Sequence, residues 1–147
     1  MASVLIEPVA DALQAKLAAI TLQGAAVKAY TWAPASLDRV PAAVIEAPDV
    51  SRRDIEGAES QLGSNDWLLT FPVTLYVQLD EPVAAQTAAV DGLEQFVQAV
   101  DADAGLGIAG VIESRVVTGE PAVIEEQKRA LYAYECRVEV LIEYVYP

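Results

Sequence analysis

The sequence predicts an α+β fold: one mixed, mainly antiparallel sheet packed on two helices, in the chain order αβββαββ. Three observations carry this. Residues 67–79 alternate strictly, with Trp67, Leu69, Phe71, Val73, Leu75, Val77 and Leu79 on one side, the period-two signature of a strand with one buried face. Residues 130–146 alternate too, with Tyr132, Tyr134, Cys136, Val138, Val140, Ile142, Tyr144 and Tyr146 opposed to Glu135, Arg137, Glu139 and Glu143, as in an antiparallel sheet with one core face. Two segments repeat apolar residues at helical spacing, and strands cluster on both sides of the second. That order speaks against a doubly wound parallel sheet.

Taken in order, residues 6–20 form the first helix, with Val9, Leu13, Leu17 and Ile20 as its apolar stripe and Pro8 suited to the first turn. Gly24 ends this region. Residues 27–32 read as a short strand stopped by Pro34, and residues 40–47 as a second, whose flanking Pro41 and Pro48 fit an edge position or strand ends. Segment 49–65 is polar and long for a connection within a compact domain, as functional or disordered loops are. Pro72 within the 67–79 strand points to an edge or a bulge. Asp80 is the expected N-cap of a helix over 82–100, with Glu81 and Pro82 in its first turn. The stripe expected there is Val83, Val90, Leu93, Val97 and Val100, with Ala84, Ala85, Ala88 and Ala89 allowing close packing. Gly105, Gly107 and Gly110 break that pattern. Residues 111–118 form a strand, and Gly119 and Pro121 turn the chain into a second polar connection, 119–129, before the last strand. No repeat, low-complexity tract or linker divides the chain, and 147 residues can build a real core. A single domain over 1–147 is expected.

Composition narrows the function. Nine basic and 22 acidic residues give a net charge of -13, and residues 67–110 carry six acids and no base. Such a chain does not grip nucleic acid through its phosphates; the charge speaks first to solubility. No apolar run approaches the roughly 20 residues of a membrane span. The N-terminus lacks the basic start of a signal peptide, so folding in a cytoplasm is expected. The absence of histidine removes most catalytic triads and zinc sites. A single cysteine, Cys136, allows no internal disulfide and reads as a small buried hydrophobe. Asp54, Glu56, Glu59, Glu125 and Glu126 are carboxylates in polar segments, without the burial or close partner that acid–base work requires. Asp101 and Asp103 lack the ligand set of a calcium loop. The glycines at 105–110 follow a helix and precede a strand, the wrong order for a dinucleotide loop. Tyr132, Tyr134, Tyr144 and Tyr146 have acidic neighbours, which favours packing over base stacking. Trp32 and Trp67 suit either core or interface anchors. Neither catalytic residue, cofactor nor metal is expected, and the chain reads as an assembly subunit, not an enzyme.

The whole layout resembles the tail terminator, or tail completion, proteins of long-tailed bacteriophages. The resemblance rests on an ordered pattern: the helix VADALQAKLAAI (9–20), the strand PAAVIEAP (41–48), WLLTFPVTLYVQ (67–78), the Ala/Val/Leu-rich helix 82–100, then VIESRVVTGEP and YECRVEVLIEYVY. LTFPVTLYV, Leu69–Val77, is its most characteristic phrase. The resemblance implies a virion protein at the tail–head junction, assembled in the bacterial host cytoplasm. Its copies would form a ring, a hexamer in that family, on the last ring of the tail tube. The ring would stop tube growth and offer the head a surface for joining. The implied partners are the chain itself, the major tail tube protein and the head connector protein, with no cofactor, membrane or sequence-specific nucleic acid. A ring needs head-to-tail contacts between identical subunits. The residues expected to make subunit or tube contacts are Arg52, Arg53, Asp54, Glu56 and Glu59 in the first polar segment, and Glu125, Glu126, Lys128 and Arg129 in the second. Four of the nine bases sit there, as natural partners for a neighbour's carboxylates. Neck proteins share this layout, so a head-closure or connector protein is a second reading. A small-molecule-binding α/β domain is a third.

Overall fold

A computed structural model describes residues 2–34, 36–53, 64–126 and 129–145, with side chains described for 6–34, 36–51, 66–125 and 129–143. Helix α1 (Ala2–Ala18) leads into a small hairpin, β1 (Thr21–Leu22) with β2 (Ala25–Ala26). Its turn places Gln23 and Gly24 at φ of 52° and 75°, the left-handed pair that a two-residue hairpin loop demands and glycine supplies most cheaply. Strands β3 (Lys28–Thr31), β4 (Ala42–Ile45), β5 (Asp49–Arg53) and β6 (Ser64–Gln78) follow. Helix α2 (Pro82–Asp101) precedes β7 (Val111–Glu126) and β8 (Arg129–Val145). The main sheet has the order β3-β4-β6-β8-β7, with β5 beside β6. Every pairing is antiparallel except β3 with β4. The α+β class with a mixed, mainly antiparallel sheet on two helices is as predicted. The hairpin and β5 are additions to the order αβββαββ.

Both helices lie on one face of the sheet. Val9, Leu13, Leu17 and Ile20 of the predicted α1 stripe are all buried in the main core, where α1 lies beside β3, β4 and α2, and α2 lies over β6, β7 and β8. Pro8 is not in the first turn, because the helix begins at Ala2 and contains it; Pro8 lacks the N–H that would bond the carbonyl of residue 4. In α2 the buried residues are Ala85, Ala89, Gly92, Phe96 and Val100, while Val83 and Val90 of the predicted stripe are 69% and 42% exposed. Close approach decides this. A Cβ at Gly92 would lie 2.8 Å from Cδ1 of Leu22, so the helix meets the β1–β2 hairpin at Gly92. The N-cap is Glu81, not Asp80: its carboxylate accepts from the amides of Val83 at 3.2 Å and Ala84 at 2.6 Å. Asp80 instead accepts from the Gln78 side chain at 3.3 Å.

Two prolines, Pro72 and Pro121, and two polar segments come out differently from a local reading. Strand β6 is interior, not an edge. Main-chain N and O of one strand residue point to the same side, and the Pro72 carbonyl accepts from Glu46 N at 2.9 Å. Its nitrogen therefore faces the short break between β4 and β5, where no ladder bond is lost. Pro41 and Pro48 flank β4, which is also interior, so they mark strand ends and not an edge. Gly119 and Pro121 do not turn the chain. They lie within β7, opposite Cys136 and Tyr134, and 119–126 is an edge strand, solvated on one side, rather than a connection. Segment 49–65 likewise includes β5 and the first residues of β6; residues 54–63 lie outside the described residues.

A second, smaller core forms on the other face of the sheet. The chain between β3 and β4 crosses that face, burying Leu37 with Ala42, Val44 and Leu131 beside Tyr30, Val40 and Tyr76.

Candidate assembly surfaces

The sheet ends in three outer strands, and alternation of main-chain direction shows which groups each leaves unpaired. On β3, Lys28 N and Trp32 N donate to the β4 side, to Pro41 O and Ile45 O, so Ala29 faces outward. Gln14 of α1 donates to the Ala29 carbonyl at 2.9 Å, which shields this edge. On the β6 side, the Leu79 amide donates to Ala130 O on β8 at 3.1 Å. Odd residues of β6 thus bond β8, and even ones bond β4 and β5. The register Asp49↔Thr70, Ser51↔Leu68 and Arg53↔Asp66 then turns the main-chain groups of Val50 and Arg52 outward from β5. By the same alternation, Arg129, Leu131 and Ala133 bond Glu126, Ile124 and Ala122, which leaves Gly119, Pro121, Val123 and Glu125 facing outward from β7. Pro121 has no N–H to leave unpaired there, which is why an edge tolerates it.

Strand β7 carries further edge features. Register breaks leave Ile112 and Val117 as the extra residues of two bulges, and both are exposed, at 48% and 37%. A bulge re-aims a side chain and interrupts pairing. Gly119 is a packing requirement: an added Cβ would lie 2.7 Å from the Tyr134 ring and 3.1 Å from Leu93.

The sheet face away from the helices is charged. Arg115 of β7 donates to Glu139 of β8 at 3.3 Å, a pair exposed enough to contribute less than about 1 kcal/mol. Glu46, Glu120, Glu135 and Arg137 surround a shallow depression next to it. Farther along, Tyr30 donates to Asp38, with Lys28 Nζ 5.8 Å from the Tyr30 ring centre. That hydrogen bond holds the Asp38 carboxyl below its ordinary value, while burial first and Asp38 second push the Tyr30 hydroxyl above its own. Trp32 follows at a left-handed φ of 68° and is 38% exposed. Trp67 is half-buried against the main core. These placements separate two tryptophans that composition left equivalent.

The residues expected to make contacts do not form one site. Arg52 and Arg53 are on β5, while Glu125 and Glu126 end β7 at the opposite edge of the same sheet. Arg129 opens β8, and its guanidinium donates to Leu37 O at 2.8 Å, tying down the segment that covers the second core. Asp54, Glu56, Glu59 and Lys128 lie outside the described residues.

Chemistry finds little to work with. Burial pushes the Cys136 thiol up to about 12. Asp103 accepts from Lys16 at 3.1 Å, linking the end of α2 to α1. Among the described residues no three His, Cys, Asp or Glu side chains gather as metal ligands do. Among the described residues, too, no helix is long and apolar enough to cross a membrane. A cleft of ≈ 180 Å³ lies between Ala33, Pro34 and Leu37 and the sheet residues Val44, Tyr76 and Ile124. It is below the roughly 300–1,000 Å³ of ordinary ligand pockets.

No family profile matches the chain, and no curated protein matches it in sequence. Among solved structures, a chain of the virion of a native gene transfer agent (GTA) particle is similar in fold, with a TM-score of 0.57 at 17% identity, over 90% of this chain and 94% of that one.

Proposed function

We propose that the chain is a structural virion protein, working as one α+β domain over residues 1–147, whose copies form a ring that caps a tail tube. The ring stops tube elongation and presents the surface to which the head joins. The observation that carries this reading is the fold likeness to a virion chain over nearly the whole length of both proteins. Two further features support it. Among the described residues, no strand pairs with the outer edges of β5 and β7, and such edges suit head-to-tail contacts between identical subunits. The one thiol is also buried with its pKa raised, which makes it a poor nucleophile. The partners in this reading are other copies of the chain, the tube protein and the head connector protein, and its place is the tail–head junction of a particle assembled in the host cytoplasm. Arg52, Arg53, Glu125 and Glu126 are the contact residues the fold supports best, since each lies on an outer strand.

Tube length is the test. Tube protein polymerised with this chain is expected to give tubes of bounded length carrying a terminal ring by electron microscopy, and deletion of the gene to give overlong tubes. Tubes of normal length with leaking heads would replace the terminator by a head-closure protein of the same virion.

A further inference from the structure

We infer that neighbouring copies join edge over edge: an apolar groove between α2 and the end of β7 receives Trp32, Lys28 and Arg39 from the β3 edge of the next copy. This rests on reading the chain as an assembling subunit and specifies the contact. Helix α2 carries two apolar stripes, and one of them is buried. The other has Val83, Val90 and Val97 at intervals of seven with Leu93 beside them, which places them along one side of the helix. That side borders β7. A Cβ at Gly119 would lie 3.1 Å from Leu93. Ser114, near the start of β7, donates to Ala104 O just past the helix end, so β7 runs back along α2. Four strand residues and ten helix residues each cover about 13–15 Å, which brings Val123 level with Val83. Val123 pairs with Tyr132, which packs on the main core, so both stand on the helix face. Val83, Val90 and Val123 are 69%, 42% and 67% exposed. Three of the seven large apolar side chains exposed among the described residues therefore gather in one place, as they do at interaction sites.

Charge and placement say what covers this groove. Its rim is acidic: residues 82–101 hold Asp91, Glu94 and Asp101, residues 116–126 hold Glu120, Glu125 and Glu126, and neither stretch has a base. Like charge opposes pairing of the groove with itself. Residues 17–45, in contrast, hold Lys28 and Arg39 against Asp38 alone, and both bases are exposed. Trp32, just past β3, is 38% exposed, an aromatic of the kind that anchors interfaces. The two surfaces are level. Pairing carries Lys28 through Ala42, Tyr76 and Ala133 to Ala122, and Thr31 through Ile45, Val73 and Cys136 to Gly119. They also lie on opposite faces. Lys28 shares its side of β3 with Tyr30, which packs on the second core, away from the helices. Copies laid edge over edge bring the helix face of one edge against the opposite face of the other, a head-to-tail contact that repeats until a ring closes. Gln14 already bonds the outward carbonyl of Ala29, so the joint is made by side chains and not by an added strand.

The test uses the full chain without tube protein, by sedimentation over a concentration series, where concentration-dependent oligomers are expected. Val90→Asp on one surface and Trp32→Gly on the other should each weaken association about ten-fold or more, with far-UV circular dichroism unchanged. Glycine fits the left-handed backbone at position 32. Each variant keeps one intact surface, so an equimolar mixture of the two should form a dimer with one copy of each that grows no further. That dimer also shows that both variants are folded. Lys28→Glu, which sets an acid against the acidic rim, should weaken association as well. Association of both single-surface variants at the parent's strength overturns the inference, as does a mixture that stays monomeric, or a parent chain that stays monomeric at millimolar concentration. Failure to bound tube length while these variants behave as stated would instead overturn the tube-capping reading and leave the joint intact.

Discussion

The two faces of the sheet bury their residues in different ways. The helix-covered face holds Phe71, Leu69, Leu75 and Val138 with Leu13, Leu17 and Phe96, all fully enclosed. Among the described residues, the opposite face is closed where the β3–β4 segment crosses it, over Leu37, Ala42, Val44 and Leu131, and carries Arg115, Glu135, Arg137 and Glu139 farther along. The first face is built from long periodic elements that bury apolar area continuously. The second depends on one crossing segment and a few polar ties, Arg129 to Leu37 O and Tyr30 to Asp38. Folding stability should therefore sit on the helix side, leaving the other face and the edges available for contacts.

The largest expected effect sharpens that contrast. Phe71→Ala removes a fully buried ring between the sheet and the helices and should cost about 3–5 kcal/mol, read from urea unfolding. Cys136 reports on the same face without a destabilising mutation. With its thiol raised to about 12 by burial, it should resist a thiol reagent at pH 8 in the native protein and react readily in denaturant. Reaction at equal rates in both states would mean the helix face is open. Leu37→Ala, on the lesser core, should cost about 2 kcal/mol, near the lower end for buried leucines, because its neighbourhood can relax. A loss equal to that of Phe71→Ala would erase the distinction between the faces.

The smallest effect is linked to pH. Asp38 has a lowered pKa, chiefly through the Tyr30 hydrogen bond, so its contribution is full above the ordinary carboxyl value and is lost as pH falls through the lowered one. Tyr30 has a raised pKa, chiefly through burial, so its contribution is full below the ordinary tyrosine value and is lost as pH rises through the raised one. The stability difference between the parent and Tyr30→Phe should be flat between about pH 5 and 9 and shrink at both ends. A difference that persists unchanged into acid would show that the hydrogen bond does not hold the crossing segment.

Much of this architecture was legible locally. The period-two faces of β6 and β8 and the Val9–Leu13–Leu17–Ile20 stripe fall where the sequence places them, because each is a long run with one periodicity and one partner surface. The proposed contact residues were legible as a kind, charged and polar, but not as a geometry. The reason is that Arg52 and Glu125 are far apart in the chain and their relation is set by sheet order.

The sequence by itself determined the α+β class, the helix-facing core and the absence of histidine chemistry, since composition and periodicity are local properties. Only the tertiary structure decided which face of α2 is buried: Ala85, Ala89 and Gly92 are enclosed while Val83 is exposed, and at Gly92 the close approach of Leu22 leaves no room for a side chain. It also decided that Pro72 belongs in an interior strand, facing the gap between β4 and β5. And it turned residues 119–126 from a polar connection into a strand. A polar, proline-containing segment reads as a loop when seen alone, and becomes an edge when β8 offers it a full-length partner.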